Sequence, residues 1–132
     1  MMNFKKLTNS QKAELYKKNY STWKQTGLDN YSYFLIFKGF IESYKLKNIS
    51  GNALKLYIYL GMYSKNNTGE IWHSTYTIAK YFNKSERTIR TWSKELEDMY
   101  LIKKMQLEFN GVSHTYLQPY DLGTTRNTYR ET

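Results

Sequence analysis

Between residues 74 and 102 apolar positions fall at helical spacing twice, separated by a short polar interval. In the first run Ile78, Ala79 and Phe82 share one face, and Thr77, Lys80 and Tyr81 lie nearer solvent. Asn83 breaks the run, because Asn tolerates the left-handed backbone that a tight turn between helices needs. Ser85 follows as an N-cap whose hydroxyl can accept the free amide of Arg87 or Thr88. A second helix therefore starts at about Glu86. Ile89, Trp92 and Leu96 line its apolar face with Met99 beyond them, while Arg87, Arg90, Thr91 and Lys94 gather on the opposite side.

The flanking stretches carry their own periods. Residues 8–26 read as an amphipathic helix: Thr8 and Gln11 have capping-box spacing, Ala13, Tyr16, Tyr20 and Trp23 form a stripe, and Gly27 ends it. The stripe is expected to pack on the domain or on a partner subunit. Residues 31–37 are β-prone and are expected in the core, as strand or as helix, with a short helical piece over 40–44. Ser50 caps a helix running to about Ser64. Leu54, Tyr57, Ile58 and Gly61 form one face of it and Ala53, Leu56, Leu60 and Tyr63 another, so it is apolar nearly all round and should be buried. Residues 65–69 are a turn cluster. Runs at 101–109 and 113–117 flank Asn110-Gly111, a dipeptide whose residues both accept positive φ, which predicts a β-hairpin. Pro119 limits the pairing of its second strand.

The spacing Thr77-Ile78-Ala79, Ser85, Arg87-Thr88-Ile89, Leu96-Glu97 and Leu101-Ile102 resembles the winged helix-turn-helix domains of many small bacterial, plasmid and phage proteins. Ser50 to Tyr57 is similar to their first core helix, and Gly69 to Ser74 to their short connecting strand. Two positions depart from the pattern. Gly is common where Asn83 and Tyr100 stand, and a Tyr there would be strained in a left-handed turn. The resemblance implies an α+β, mainly α fold: an N-terminal helical extension over 1–48, a winged helix-turn-helix over 49–122 with a C-terminal hairpin wing, and a polar tail over 123–132. It also implies a reading helix with Arg87, Thr88, Arg90, Thr91 and Lys94 towards base edges. Ser74, Thr77, Lys84 and Ser85 would lie near the phosphate backbone, and Asn110, Gly111, Ser113 and His114 in the wing.

Charge sharpens the picture. The net charge is +9, and residues 1–48 contribute +6 of it against +2 from 49–122, so most of the excess lies outside the supposed reading domain. A polyanionic partner follows, most economically double-stranded DNA. The chain has no cysteine, which removes disulfides, thiolate nucleophiles and the usual structural zinc sites and fits a cytoplasmic setting. No apolar run of membrane-spanning or signal-peptide length is present. His73 and His114 are the only histidines, and neither has a second histidine or a carboxylate pair at a metal-ligand spacing, so no enzyme activity, cofactor, metal or small-molecule substrate is expected. The resulting reading is a homodimeric, sequence-specific duplex DNA binder. It would be a transcriptional regulator or an accessory factor in replication, partition or conjugation on a plasmid or phage-like element. Two other readings remain: a winged helix that binds only proteins, its basic residues paired within the helix as in Glu86 with Arg90, and an aromatic-rich single-stranded DNA binder.

Overall fold

The computed structural model describes residues 3–107 and 113–120, which divide after Tyr33 into two compact units. In the first unit a single turn, Phe4–Lys6, leads into helix α1, Asn9–Asn30. The capping box forms as expected: the Thr8 hydroxyl accepts the Gln11 amide, and the Gln11 side chain accepts the Thr8 amide. Gly27 does not end the helix. Glycine permits a break without requiring one, and here the last turn closes on the Tyr31 amide bonded to the Gly27 carbonyl and the Gln25 side chain bonded to Asp29. No residue of α1 is buried. Its stripe is exposed and pairs along its own length, Tyr20 with Trp23 at 5.6 Å and Tyr16 with Phe4 at 5.8 Å between ring centroids.

The second unit opens on an extended stretch, residues 34–37, that joins no strand. The expected core role of 31–37 is fulfilled by Phe34 alone. Its ring packs so closely on Gly61 that a Cβ there would collide with it, and it meets Tyr57 edge-on. Strand pairing is replaced by a different bond: the Phe37 amide donates to the Tyr120 hydroxyl at 2.7 Å. Two short helices follow, α2 (Gly39–Glu42) and α3 (Lys45–Asn48), and Phe40 of α2 is buried.

Helix α4 (Gly51–Tyr63) begins at the Ser50 cap and supplies the centre of the core through Ala53, Leu56, Tyr57, Tyr59, Leu60 and Gly61. It is less enclosed than its composition suggests, since Ile58, Met62 and Tyr63 are exposed. A tight turn with Gly69 at φ 71° leads to strand β1 (Glu70–Ile71). Helices α5 (Thr75–Phe82) and α6 (Glu86–Asp98) come next, then strands β2 (Ile102–Gln106) and β3 (Ser113–Leu117). The sheet is antiparallel in the order β1-β3-β2, with Ile71 opposite Thr115 and Lys104 opposite Thr115 on the other side. A compact set of helices followed by this small sheet is the winged helix-turn-helix arrangement. The expected Asn110-Gly111 turn lies outside the described residues, as does the tail over 123–132.

Both helix exits use left-handed residues. Asn83 has φ 54°, with its own amide on the Lys80 carbonyl and the Lys84 amide on the Ala79 carbonyl. Tyr100 has φ 61° and repeats the pattern, with its amide on Glu97 and the Leu101 amide on Leu96. The second exit therefore keeps the turn that glycine would make, at the cost of a strained tyrosine.

Two stability changes follow. Leu96 is fully buried, and Leu96→Ala should lower stability by about 2–5 kcal/mol through lost transfer energy and the cavity left behind. Tyr100→Gly should raise stability by about 1 kcal/mol, because its exposed side chain contributes little and the strain disappears. Urea denaturation midpoints check both; a Leu96→Ala midpoint equal to wild type would mean that this face of α6 is not inward.

Candidate nucleic-acid interface

Helices α5 and α6 open in the same way. The Ser74 hydroxyl accepts the Thr77 amide at 3.0 Å and lies 2.9 Å from the Thr77 hydroxyl; Ser85 does the same for Thr88 at 3.1 and 2.9 Å. These Ser-x-x-Thr caps satisfy the first free amides of each helix and fix where it starts. The left-handed Asn83 between them sets the direction of α6 relative to α5, and Lys84 stands exposed on that turn.

On α6 Ile89, Trp92, Ser93 and Leu96 are buried, so the outward face is the one expected: Arg87, Arg90, Thr91 and Lys94 are exposed, and Thr88 is half-buried. Their states differ. Arg87 and Arg90 form no ion pair among the described residues, and the Glu86 to Arg90 pair does not form. Thr91 donates its hydroxyl to the Arg87 carbonyl at 3.1 Å, leaving its methyl and oxygen lone pairs outward. Lys94 is bound to Asp98, and that bond raises its pKa, so its charge is shared with a carboxylate one turn further on. The basic half of the helix is thus its N-terminal half.

One acidic residue of α6 is engaged outside the helix. Glu95 accepts both the Ser50 amide and the Ser50 hydroxyl, each at 2.7 Å, while the same hydroxyl accepts the Ala53 amide. The Lys45 amine donates to the Met99 carbonyl at 2.7 Å. These two links tie α6 to the start of α4 and to the segment before it. Sequence reasoning missed both, because partners 45 and 54 positions apart leave no local pattern.

In the sheet Ser113 and His114 are half-buried, and Asn110 and Gly111 lie outside the described residues. His114 is not a free residue at the wing. Its Nδ1 lies 2.8 Å from Glu70 Oε2, and its ring packs beside Trp72 and Tyr116. An ionised carboxylate only accepts, so His114 donates through Nδ1. Lys65 covers the Trp72 ring at 4.6 Å. His73 is likewise occupied, 2.6 Å from the Tyr59 hydroxyl, whose pKa is raised chiefly by burial.

The Glu70 carboxyl is held below the usual carboxylate range, first by the His114 hydrogen bond, against an opposing effect of burial and with further help from Tyr116. A depressed carboxyl contributes stability that is complete above its unfolded value, about 4.3, and is lost as pH falls through the lower folded value. Wild type should therefore lose urea stability below about pH 4.3, and Glu70→Gln should lose less over the same range. Equal losses in the two proteins would show that the pair adds nothing to the sheet.

No curated protein and no solved structure matches the chain. Residues 47–102 match the model of a family described as a helix-turn-helix domain, the stretch that runs from α3 through α6 to the first residue of β2.

Proposed function

We propose that this protein binds double-stranded DNA in a sequence-specific manner as a winged helix, acts by binding rather than catalysis, and works in the cytoplasm as a homodimer on two half-sites. Arg87 and Arg90 would reach base edges, where the guanidinium fork pairs with guanine in the major groove. Thr91 would offer its methyl group. Ser74, Thr77, Lys84 and Ser85 would sit against phosphates, at helix starts whose amides favour anions.

One observation carries the reading: the two arginines on the exposed N-terminal half of α6 are unpaired among the described residues, while the acids of that helix at 95 and 98 are bound by Ser50 and Lys94. A merely solvated helix would be expected to pair Arg90 with Glu86 one turn before it, a pair that does not form. Lysines outside the domain would add sequence-independent attraction that weakens with salt. The same geometry serves a transcriptional regulator or an accessory factor at an origin of replication, partition or conjugative transfer on a plasmid or phage-like element. Sites selected from a random duplex library, placed back in a genome, separate the two roles.

The purified chain should bind the selected duplex with log affinity falling linearly in log salt, by about 0.9 for each phosphate neutralised. Arg87→Ala combined with Arg90→Ala should abolish the sequence preference and leave the unfolding midpoint unchanged, since both side chains are exposed. A footprint on the same site with the double variant would refute the assignment of α6 as the reading helix.

A further inference from the structure

Helix α1 carries a strip of rings and lysines that its own unit does not bury. Ala13, Tyr16, Tyr20 and Trp23 follow at steps of three, four and three, which sets them on one face of a continuous helix over about 15 Å of its axis. Phe4 folds back to extend the face, its ring 5.8 Å from Tyr16, and Tyr20 meets Trp23 at 5.6 Å. Between 59 % and 68 % of Tyr16, Tyr20 and Trp23 is nonetheless open to solvent. Leu15 and Leu28 fall off this face, so it offers flat rings and no aliphatic side chain beyond the methyl of Ala13. Lysines border it on both sides. Helical spacing sets Lys12 along one edge and Lys17 and Lys24 along the other, while Glu14 and Asp29, the acids of this unit, lie towards the back. The Lys12 amine stands over the Phe4 ring at 5.2 Å. Lys17 reaches Glu14 at 3.3 Å, but an ion pair with both ends in water holds its charge only weakly.

From this arrangement we infer that α1 is a binding site for single-stranded DNA, whose bases stack on Tyr16, Tyr20 and Trp23 and whose phosphates meet Lys12, Lys17 and Lys24. The inference goes beyond duplex recognition and gives unpaired DNA a site of its own, separate from α6. The chemistry of the face selects this partner. Flat rings between two rows of cations match a strand that presents base faces and phosphates together. A closed duplex offers base edges and phosphates, while its base faces are stacked on one another. A second copy would bring lysines against lysines, because the acids that could answer them lie on the far side of each helix. A bilayer is entered by a broad aliphatic face, which this helix lacks. DNA is chosen over RNA because an opened duplex supplies such a strand to a chain that also binds DNA, and that choice alone rests on the duplex reading above.

Fluorescence anisotropy of labelled oligothymidine titrated with the full chain tests the site. Tyr16→Ala, Tyr20→Ala and Trp23→Ala together should weaken binding by about a hundredfold or more, since each stacked ring contributes separately. Alanine is a better helix former than any of the three, so circular dichroism should show undiminished helicity in that variant. Trp23→Phe, which keeps a ring to stack, should bind far better than Trp23→Ala. Lys12→Gln, Lys17→Gln and Lys24→Gln together should lower the slope of log affinity against log salt by about 2, at roughly 0.7 for each phosphate released from a single strand. The Arg87→Ala, Arg90→Ala protein should bind oligothymidine as wild type does, and the triple ring variant should keep the duplex footprint, so the two readings fall separately. A wild type that does not bind oligothymidine, or a ring variant that binds it equally well, overturns the inference. Loss of oligothymidine binding in the arginine variant also overturns it, by placing the strand on α6. So does a preference of the rings for phosphatidylglycerol vesicles, or a wild-type dimer that the ring variant turns into a monomer. Tighter binding of oligouridine than of oligothymidine overturns the choice of DNA.

Discussion

The direction in which α6 points depends on a carboxylate. Glu95 receives two hydrogen bonds from Ser50 at the start of α4, where the unsatisfied amides and aligned peptide dipoles favour negative charge. Hydrogen bonds to a charged acceptor are stronger than neutral ones, and here they fix the rotation of α6 about its own axis. That rotation decides which residues face inward. With Glu95 turned to Ser50, Ile89, Trp92 and Leu96 enter the core, and Arg87 and Arg90 are left outside. The clamp has an electrostatic effect as well, because an acid that would repel phosphates is consumed in holding the helix.

The second determinant is backbone conformation between helices. Asn83 and Tyr100 take the same left-handed turn with the same pair of amide-to-carbonyl bonds, one with a residue suited to it and one without. Hydrophobic contact makes the second tolerable. Leu101, fully buried, follows directly and can reach the core only if the chain reverses at Tyr100. The strain of that tyrosine is set against the burial of a whole leucine side chain, roughly 1.5–3 kcal/mol, so burial wins.

Much of this was legible because it is local. The start of α6 at its Ser85 cap, the left-handed Asn83 and the inward faces of α5 and α6 follow from residues within one or two turns of each other, and the strands β2 and β3 from their own local pattern. What escaped the sequence is non-local or permissive. Gly27 allows a break that its neighbours do not take. Residues 31–37 have the composition of a strand, but strand status depends on an edge to pair with, and Tyr120 captures the Phe37 amide instead. Ile58 and Tyr63 continue the apolar pattern of α4 onto a side that nothing covers in this domain. Among the expected site residues, Arg87 and Arg90 are exposed and form no ion pair among the described residues. Lys94 and His114 are drawn into pairs with Asp98 and Glu70, which only three-dimensional proximity or a choice among several helical neighbours could decide.

The order of strands carries a consequence in time. The first strand, β1, pairs with β3, so Glu70 meets Tyr116 only after both helices of the reading motif have been made. On a chain emerging from the ribosome, the contacts of α4, α5 and α6 can assemble while β1 still has an empty edge. Closing so long a loop costs conformational entropy that short-range helix contacts do not incur. The sheet therefore acts as a late latch: it is fastened by β3, after the two helices of the helix-turn-helix already have their shape.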